Sequence, residues 1–95
     1  MAAIGVLTLE LRLPYSHSLK DKRHVVKGLK DRLRHKFNVS VAEIDYQDTW
    51  QRSVIAVVTV SGSHVNAEQV LQSVEIEAAN LLGPDLVSAV VEWME

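Results

Sequence analysis

Cysteine is absent, which removes disulfides, thiol nucleophiles and thiolate metal sites from consideration. The four histidines, His17, His24, His35 and His64, include no i, i+4 pair that would set two ligands on one helical face. No metal site is therefore expected. No apolar run approaches the ~18 residues needed to cross a bilayer, and no basic segment followed by a long apolar stretch resembles a secretion signal. A cytoplasmic protein with no membrane partner is expected. Phosphate-cradling glycine loops of the G-x-x-x-x-G-K-[ST] or G-x-G-x-x-G type are missing. No Ser/His/Asp set identifies a nucleophile. No cofactor is expected, and a binding role is favoured over an enzymatic one.

What is present is a strong charge asymmetry. The net charge of the 95 residues is only −2. Yet Lys20, Lys22, Arg23, Lys27, Lys30, Arg32, Arg34 and Lys36 are eight of the ten basic residues, and their window holds only Asp21 and Asp31, a local charge of +6. The remainder carries two bases, Arg12 and Arg52, against ten acids, or −8. Segregation of this kind marks a surface for a partner of opposite sign.

Residues 3–13 alternate, with Leu7, Leu9, Leu11 and Leu13 on one face, and read as a strand that Pro14 ends. Ser18 caps a helix over 19–36, with Asp21 in the position of a capping-box acid. Leu19, Val26, Leu29, Leu33 and Phe37 form its apolar stripe. Gly28, inside that helix, costs up to ~1 kcal/mol relative to Ala, and close packing against a strand would account for it. Strands are expected over 39–46 and 52–61, the second being almost wholly β-favouring and apolar. Asn66 with Gln69 offers a capping box for a second helix, which Gly83–Pro84 stops. Residues 86–94 read as the last strand.

The order β-α-β-β-α-β over a single domain, 1–95, predicts an α+β ferredoxin-like sandwich. In it a four-stranded antiparallel sheet of order 4-1-3-2 carries both helices on one face. A sheet covered on one side should alternate apolar and polar. Residues 54–60 do not alternate, and Ile4, Val6 and Val90 add to the face away from the helices. A second copy of the chain is the simplest cover, so a homo-oligomer through this apolar face is expected; the alternative is a partly exposed apolar face, which small domains tolerate.

Two clusters are candidate sites. Lys20, Arg23, Lys27, Lys30 and Arg34 recur at 3-4-3-4 spacing and form one stripe along the first helix. Their mutual repulsion would be relieved by an anionic partner such as RNA; the plainer reading is a solvated face, or pairing with acidic residues elsewhere in the chain. Ser16, His17 and Ser18, with Lys20, Lys22 and Arg23 directly after them, could complete an anion site at the helix N-terminus. The plainer reading makes Ser18 only a cap and His17 a turn residue. The second cluster is Asp45, Asp48, Trp50 and Arg52. Its carboxylates could serve acid–base chemistry or a hard cation, and Trp50 could stack on a base, anchor an interface or equally be a lid over the core edge. The simpler alternative is a turn cap plus an ion pair with Arg52. Base stacking on the sheet, the mode of the common RNA-recognition domain of this fold, is disfavoured because the third strand has no aromatic residue.

The runs Ser16–His17–Ser18–Leu19–Lys20–Asp21–Lys22–Arg23 and Val41–Ala42–Glu43–Ile44–Asp45–Tyr46–Gln47–Asp48–Thr49–Trp50–Gln51–Arg52 resemble the YlxP-like family of small uncharacterised bacterial proteins, and the resemblance spans essentially the whole chain. It implies a ferredoxin-like fold, a cytoplasmic bacterial protein and, because the family's genes often lie among translation and ribosome-maturation genes, a link to RNA or the ribosome. It implies no activity. Tyr46 stands where many relatives are expected to have histidine, which weakens a catalytic role there. The resulting expectation is a non-enzymatic RNA- or ribosome-associated accessory domain that grips phosphates with its first helix. The alternatives are a homo-oligomeric protein-interaction module and a small anion- or phosphoester-handling enzyme built on the two loops.

Overall fold

A computed structural model describes residues 1–94. In chain order the elements are β1 (Ala3–Arg12), α1 (Leu19–Lys36), β2 (Ser40–Asp45), β3 (Arg52–Ser61), α2 (His64–Leu82), a short 3-10 turn (Gly83–Asp85) and β4 (Leu86–Met94). The sheet order is β2-β3-β1-β4, with every neighbouring pair antiparallel. This is the ferredoxin-like arrangement that the order of elements implied.

Alternation in β1 decides what is inside. Leu7 lies between Val57 and Val91, and Leu9 between Ile55 and Ala89. Leu7, Leu9, Leu11, Ile55 and Val57 are sealed beneath Val26, Leu29 and Leu33 of α1 and Leu71, Val74 and Ala78 of α2. Each fully buried aliphatic side chain contributes about 1.5–3 kcal/mol. The opposite face pairs Ile4 with Val60, Val6 with Val58 and Thr8 with Ala56, and no helix among the described residues covers it.

The local signals differ from expectation at three points. Ser18 caps α1 by accepting from the Asp21 amide, but the shorter Asp21 carboxylate returns its bond to the His17 amide rather than to Ser18. The second helix begins a turn earlier than Asn66, because Ser63 caps it and accepts from the Asn66 amide. Asn66 itself reaches back to Ser61. Gly28 is exposed, and a Cβ there would meet no atom within 4 Å, so close packing does not explain it. The tightly packed glycine is Gly5, where a Cβ would lie 2.6 Å from Leu71 and 2.7 Å from the Trp93 ring. Gly83, at φ 55°, ends α2, a conformation glycine adopts without a Cβ penalty.

Glu77, nearly buried on α2, ties the two helices together. It accepts from Arg32 Nε at 2.9 Å and Lys36 Nζ at 2.6 Å. Foremost the Lys36 ammonium, and then the Arg32 guanidinium, hold its carboxyl below the ordinary value against the opposing effect of burial.

Candidate functional site

The eight bases of α1 have unequal fates. Lys22 is fully buried, with 0% exposure. It occupies the inner face one turn before Val26, where its helical position forces it inward. Its ammonium is satisfied by Glu43 Oε2 at 3.0 Å and by the carbonyls of Tyr46, Gln47 and Arg52. Glu43 also accepts from the buried Ser53 hydroxyl. Lys22 therefore binds the β2–β3 loop and offers nothing to an external anion, a correction to its expected place in the surface site. Arg34 Nη2 donates to the Val41 carbonyl at 2.6 Å, and Lys27 pairs with Asp31 at 2.6 Å. Arg32 and Lys36 are engaged by Glu77.

Lys20, Arg23 and Lys30 form no ion pair among the described residues. Arg23, Lys27, Lys30 and Arg34 line an open depression of about 430 Å³ between α1 and β2, with Val26 at its base and Glu43 and Asp31 on its margin. The stripe thus faces the β2 edge of the molecule.

The N-terminal end of α1 is less open than the sequence implied. Ser16 is buried, and its hydroxyl donates to the Ser18 carbonyl at 3.2 Å. Ser18 is occupied as the cap. The Asp21 carboxylate already lies against the first turn, where an external anion would have been favoured. Of the six residues expected there, His17, Lys20 and Arg23 remain exposed.

The two loops singled out by the sequence lie side by side. Leu13 N donates to the Gln51 carbonyl at 3.0 Å. Gln51 Nε2 donates to the carbonyls of Pro14 and Ser16, each at 3.1 Å. Tyr46 stands at φ 61°, a left-handed conformation that costs a non-glycine residue ~1–2 kcal/mol. The bonds from Lys22 to Tyr46 and Gln47 hold it there. The Tyr46 ring stacks beneath the Arg52 guanidinium at 4.1 Å, and Arg52 pairs with Glu10 at 2.9 Å. The ion pair expected between Arg52 and the loop aspartates is therefore made with Glu10 instead. Asp45 accepts from the Tyr46 amide as a turn cap. Asp48 and Trp50 are exposed. Among the described residues, no three His, Asp or Glu side chains are grouped to hold a metal ion.

Sequence reasoning missed Glu43, Gln51, Ser53 and Glu77, the partners that consume charge or fix the loops. The one available signal was register: positions 22, 26, 29 and 33 continue a single apolar stripe, so the lysine at 22 had to be internal. A second surface is the uncovered sheet face, where Val60 and Met94 are each 58% exposed. No helix among the described residues is long and apolar enough to cross a membrane.

Fold and site together define a small ferredoxin-like domain whose charged helix borders an internally braced double loop. The family model described as "Protein of unknown function (DUF503)" matches residues 4–88, and the chain belongs to that family. It is 46% identical over 71 residues to "Uncharacterized protein YlxP" of Bacillus subtilis (strain 168), covering 75% of this chain and 77% of the relative. Among solved structures, it is similar to the de novo designed protein Foldit4, with a TM-score of 0.63, 10% identity and coverage of 100% of this chain and 98% of that one. It is also similar to the de novo designed protein LFR1 1 with ferredoxin fold, with a TM-score of 0.50, 12% identity and coverage of 99% and 84%. At those identities the structural matches concern the fold alone.

Proposed function

We propose that the protein is a non-enzymatic RNA- or ribosome-associated accessory domain that meets phosphates along the exposed side of α1. The observation that carries this reading is the set of α1 cations that form no ion pair among the described residues, Lys20, Arg23 and Lys30, beside the depression shared with Lys27 and Arg34. Like charges at helical spacing repel, and a phosphate backbone relieves that repulsion. His17, exposed at the head of the helix, extends the same surface. Trp50, 52% exposed on the adjoining loop, offers an aromatic face on which an unpaired base could stack.

The test is fluorescence polarisation with a structured RNA carrying single-stranded loops, titrated at rising salt. Three phosphate contacts give a log–log slope of about −2, from ~0.7 per contact on single strands. Arg23→Glu with Lys30→Glu should abolish most of the binding. Absence of binding at low salt, or a double variant that binds as well as the parent, refutes the reading.

A second reading, a homo-oligomeric interaction module, is favoured by the uncovered apolar sheet face, on which Ile4, Val60, Val90 and Met94 are exposed. Sheet faces of this composition are stable in water chiefly when packed against a partner. Sedimentation of the parent chain and of Val58→Lys separates the cases. A dimer lost in the variant supports self-association, and a monomer at high micromolar concentration removes it.

A further inference from the structure

We propose that the free edge of β4, together with the groove between β4 and α2, takes up an extended basic peptide segment of another protein as an added strand. The two edges of the sheet are built differently. β2 has six residues and an irregular register between Glu43 and Asp45, and the Arg34 guanidinium is bound to its Val41 carbonyl. Those are the devices by which an edge is closed to further pairing. β4 runs for nine residues, Leu86–Met94, with no Lys, Arg or Pro and with Glu92 as its only charge. Every second residue of such an antiparallel edge turns its N–H and C=O away from β1.

The groove beside this edge has a volume of about 330 Å³ and is lined by Glu68, Leu71, Gln72, Glu75, Val91 and Trp93. Val91 is 40% exposed although it lies on the helix side of the sheet, directly opposite fully buried Leu7. The helices therefore leave the Val91 side chain partly open, while Ala89 and Trp93 on the same side of β4 pack against the core. The floor is fixed: the Trp93 indole lies against Gly5 and Leu71, with the His64 ring 4.1 Å away.

Charge selects the occupant. The chain from Ser53 onward contains no Lys or Arg, and Glu68 and Glu75 stand exposed on the groove's rim. An incoming strand places alternate side chains on the groove side. Apolar ones would cover Val91 and Trp93, and Lys or Arg would answer Glu68 and Glu75. A second copy of the chain fits poorly, because its β4 brings no cation and its own acidic α2 rim would face the same gap.

The experiment uses the full chain with Trp50→Phe, so that Trp93 alone reports by fluorescence. The probes are the nine-residue peptide Val-Thr-Lys-Thr-Val-Thr-Lys-Thr-Val, whose valines and lysines share one face of a strand, its counterpart with glutamate in place of lysine, and the valine–lysine peptide N-methylated at the alternate residues whose N–H groups would face β4. The valine–lysine peptide should bind saturably and slow amide exchange at alternate residues of β4. N-methylation, which removes strand donors but keeps the charge, should weaken it about tenfold or more. Glu68→Lys with Glu75→Lys, both exposed, should weaken it about tenfold and admit the valine–glutamate peptide instead. Equal binding of the methylated and unmethylated peptides, or indifference to charge reversal, overturns the proposal. So does a dimer in sedimentation that persists in Val58→Lys and that the valine–lysine peptide fails to dissociate.

Discussion

Replacing Lys22 by methionine tests whether the buried ammonium is the brace that holds the β2–β3 loop. Methionine has the length and flexibility to fill the space of the lysine stem, so the substitution isolates the charge. It strips Glu43, whose side chain is only 16% exposed, of its ion partner, and leaves the carbonyls of Tyr46, Gln47 and Arg52 without this donor. Removing one member of a buried pair costs about 3–5 kcal/mol, because the other charge remains desolvated. A domain of this length is stable by only ~5–14 kcal/mol, so the urea midpoint should fall by about 2 M at a slope of roughly 1.5–2 kcal/mol per molar. Lys22→Met with Glu43→Met removes both charges and should recover a large part of the loss, since an apolar pair of similar volume can replace a buried salt bridge with little penalty. The assay is urea unfolding followed by circular dichroism, with amide exchange at residues 46–51 as a local readout. A cost below ~1 kcal/mol for the single variant, or strict additivity in the double, would refute the assignment of Lys22 as the brace.

Two glycines should respond in opposite directions. Gly5→Ala drives a methyl into Leu71 and Trp93 and should destabilise the fold by about 1–3 kcal/mol, whereas Gly28→Ala, in open space on α1, should stabilise it by about 0.4–1 kcal/mol; thermal unfolding of both variants checks the pair. Glu77 gives a pH dependence with a definite sign. Its folded carboxyl is held low by Lys36 and Arg32, so the stabilisation is complete above the ordinary value of 4.5 and is lost as pH falls through the lower folded value. Melting curves from pH 7 down to pH 2 should show this acid-side decline in the parent, and a shallower one in Glu77→Gln.

The architecture was legible because its signals are local. Leucine alternation in β1, the Ser18 cap, the apolar run of β3 and the Gly83–Pro84 stop each fix an element without long-range information. The start of α2 was misjudged because Ser63 and Asn66 are both competent caps, and only the strand end at Ser61 decides between them. Gly28 and Gly5 show the same limit: which glycine is crowded depends on a neighbour, Leu71 or Trp93, far away in sequence. The candidate site was the least legible part. The loops at 14–18 and 45–52 could be picked out as polar clusters, but their joining by Gln51 and Lys22 required the β1–β3 register.

That joining changes how the charge of α1 should be counted. A run of eight bases invites a proportionally steep salt dependence, because each neutralised phosphate releases counterions. The fold divides those bases by position on the helix. The inward position gives Lys22 to the loop carbonyls, the α2 side gives Arg32 and Lys36 to Glu77, and the β2 side gives Arg34 to the Val41 carbonyl. Lys27 is shared with Asp31 one turn on, where an exposed pair exchanges readily with solvent or with a stronger anion. What remains for a partner is Lys20, Arg23 and Lys30, with Lys27 recruited at the expense of a weak pair. A measured slope near −2 to −3 would therefore fit a partner meeting α1 alone. A slope steeper than about −4 would require cations outside this helix, and the remaining ones, Arg12 and Arg52, stand opposite one another on β1 and β3. Charge reversal at Arg12 would then flatten the salt dependence, and reversal at Lys30 would flatten it in either case.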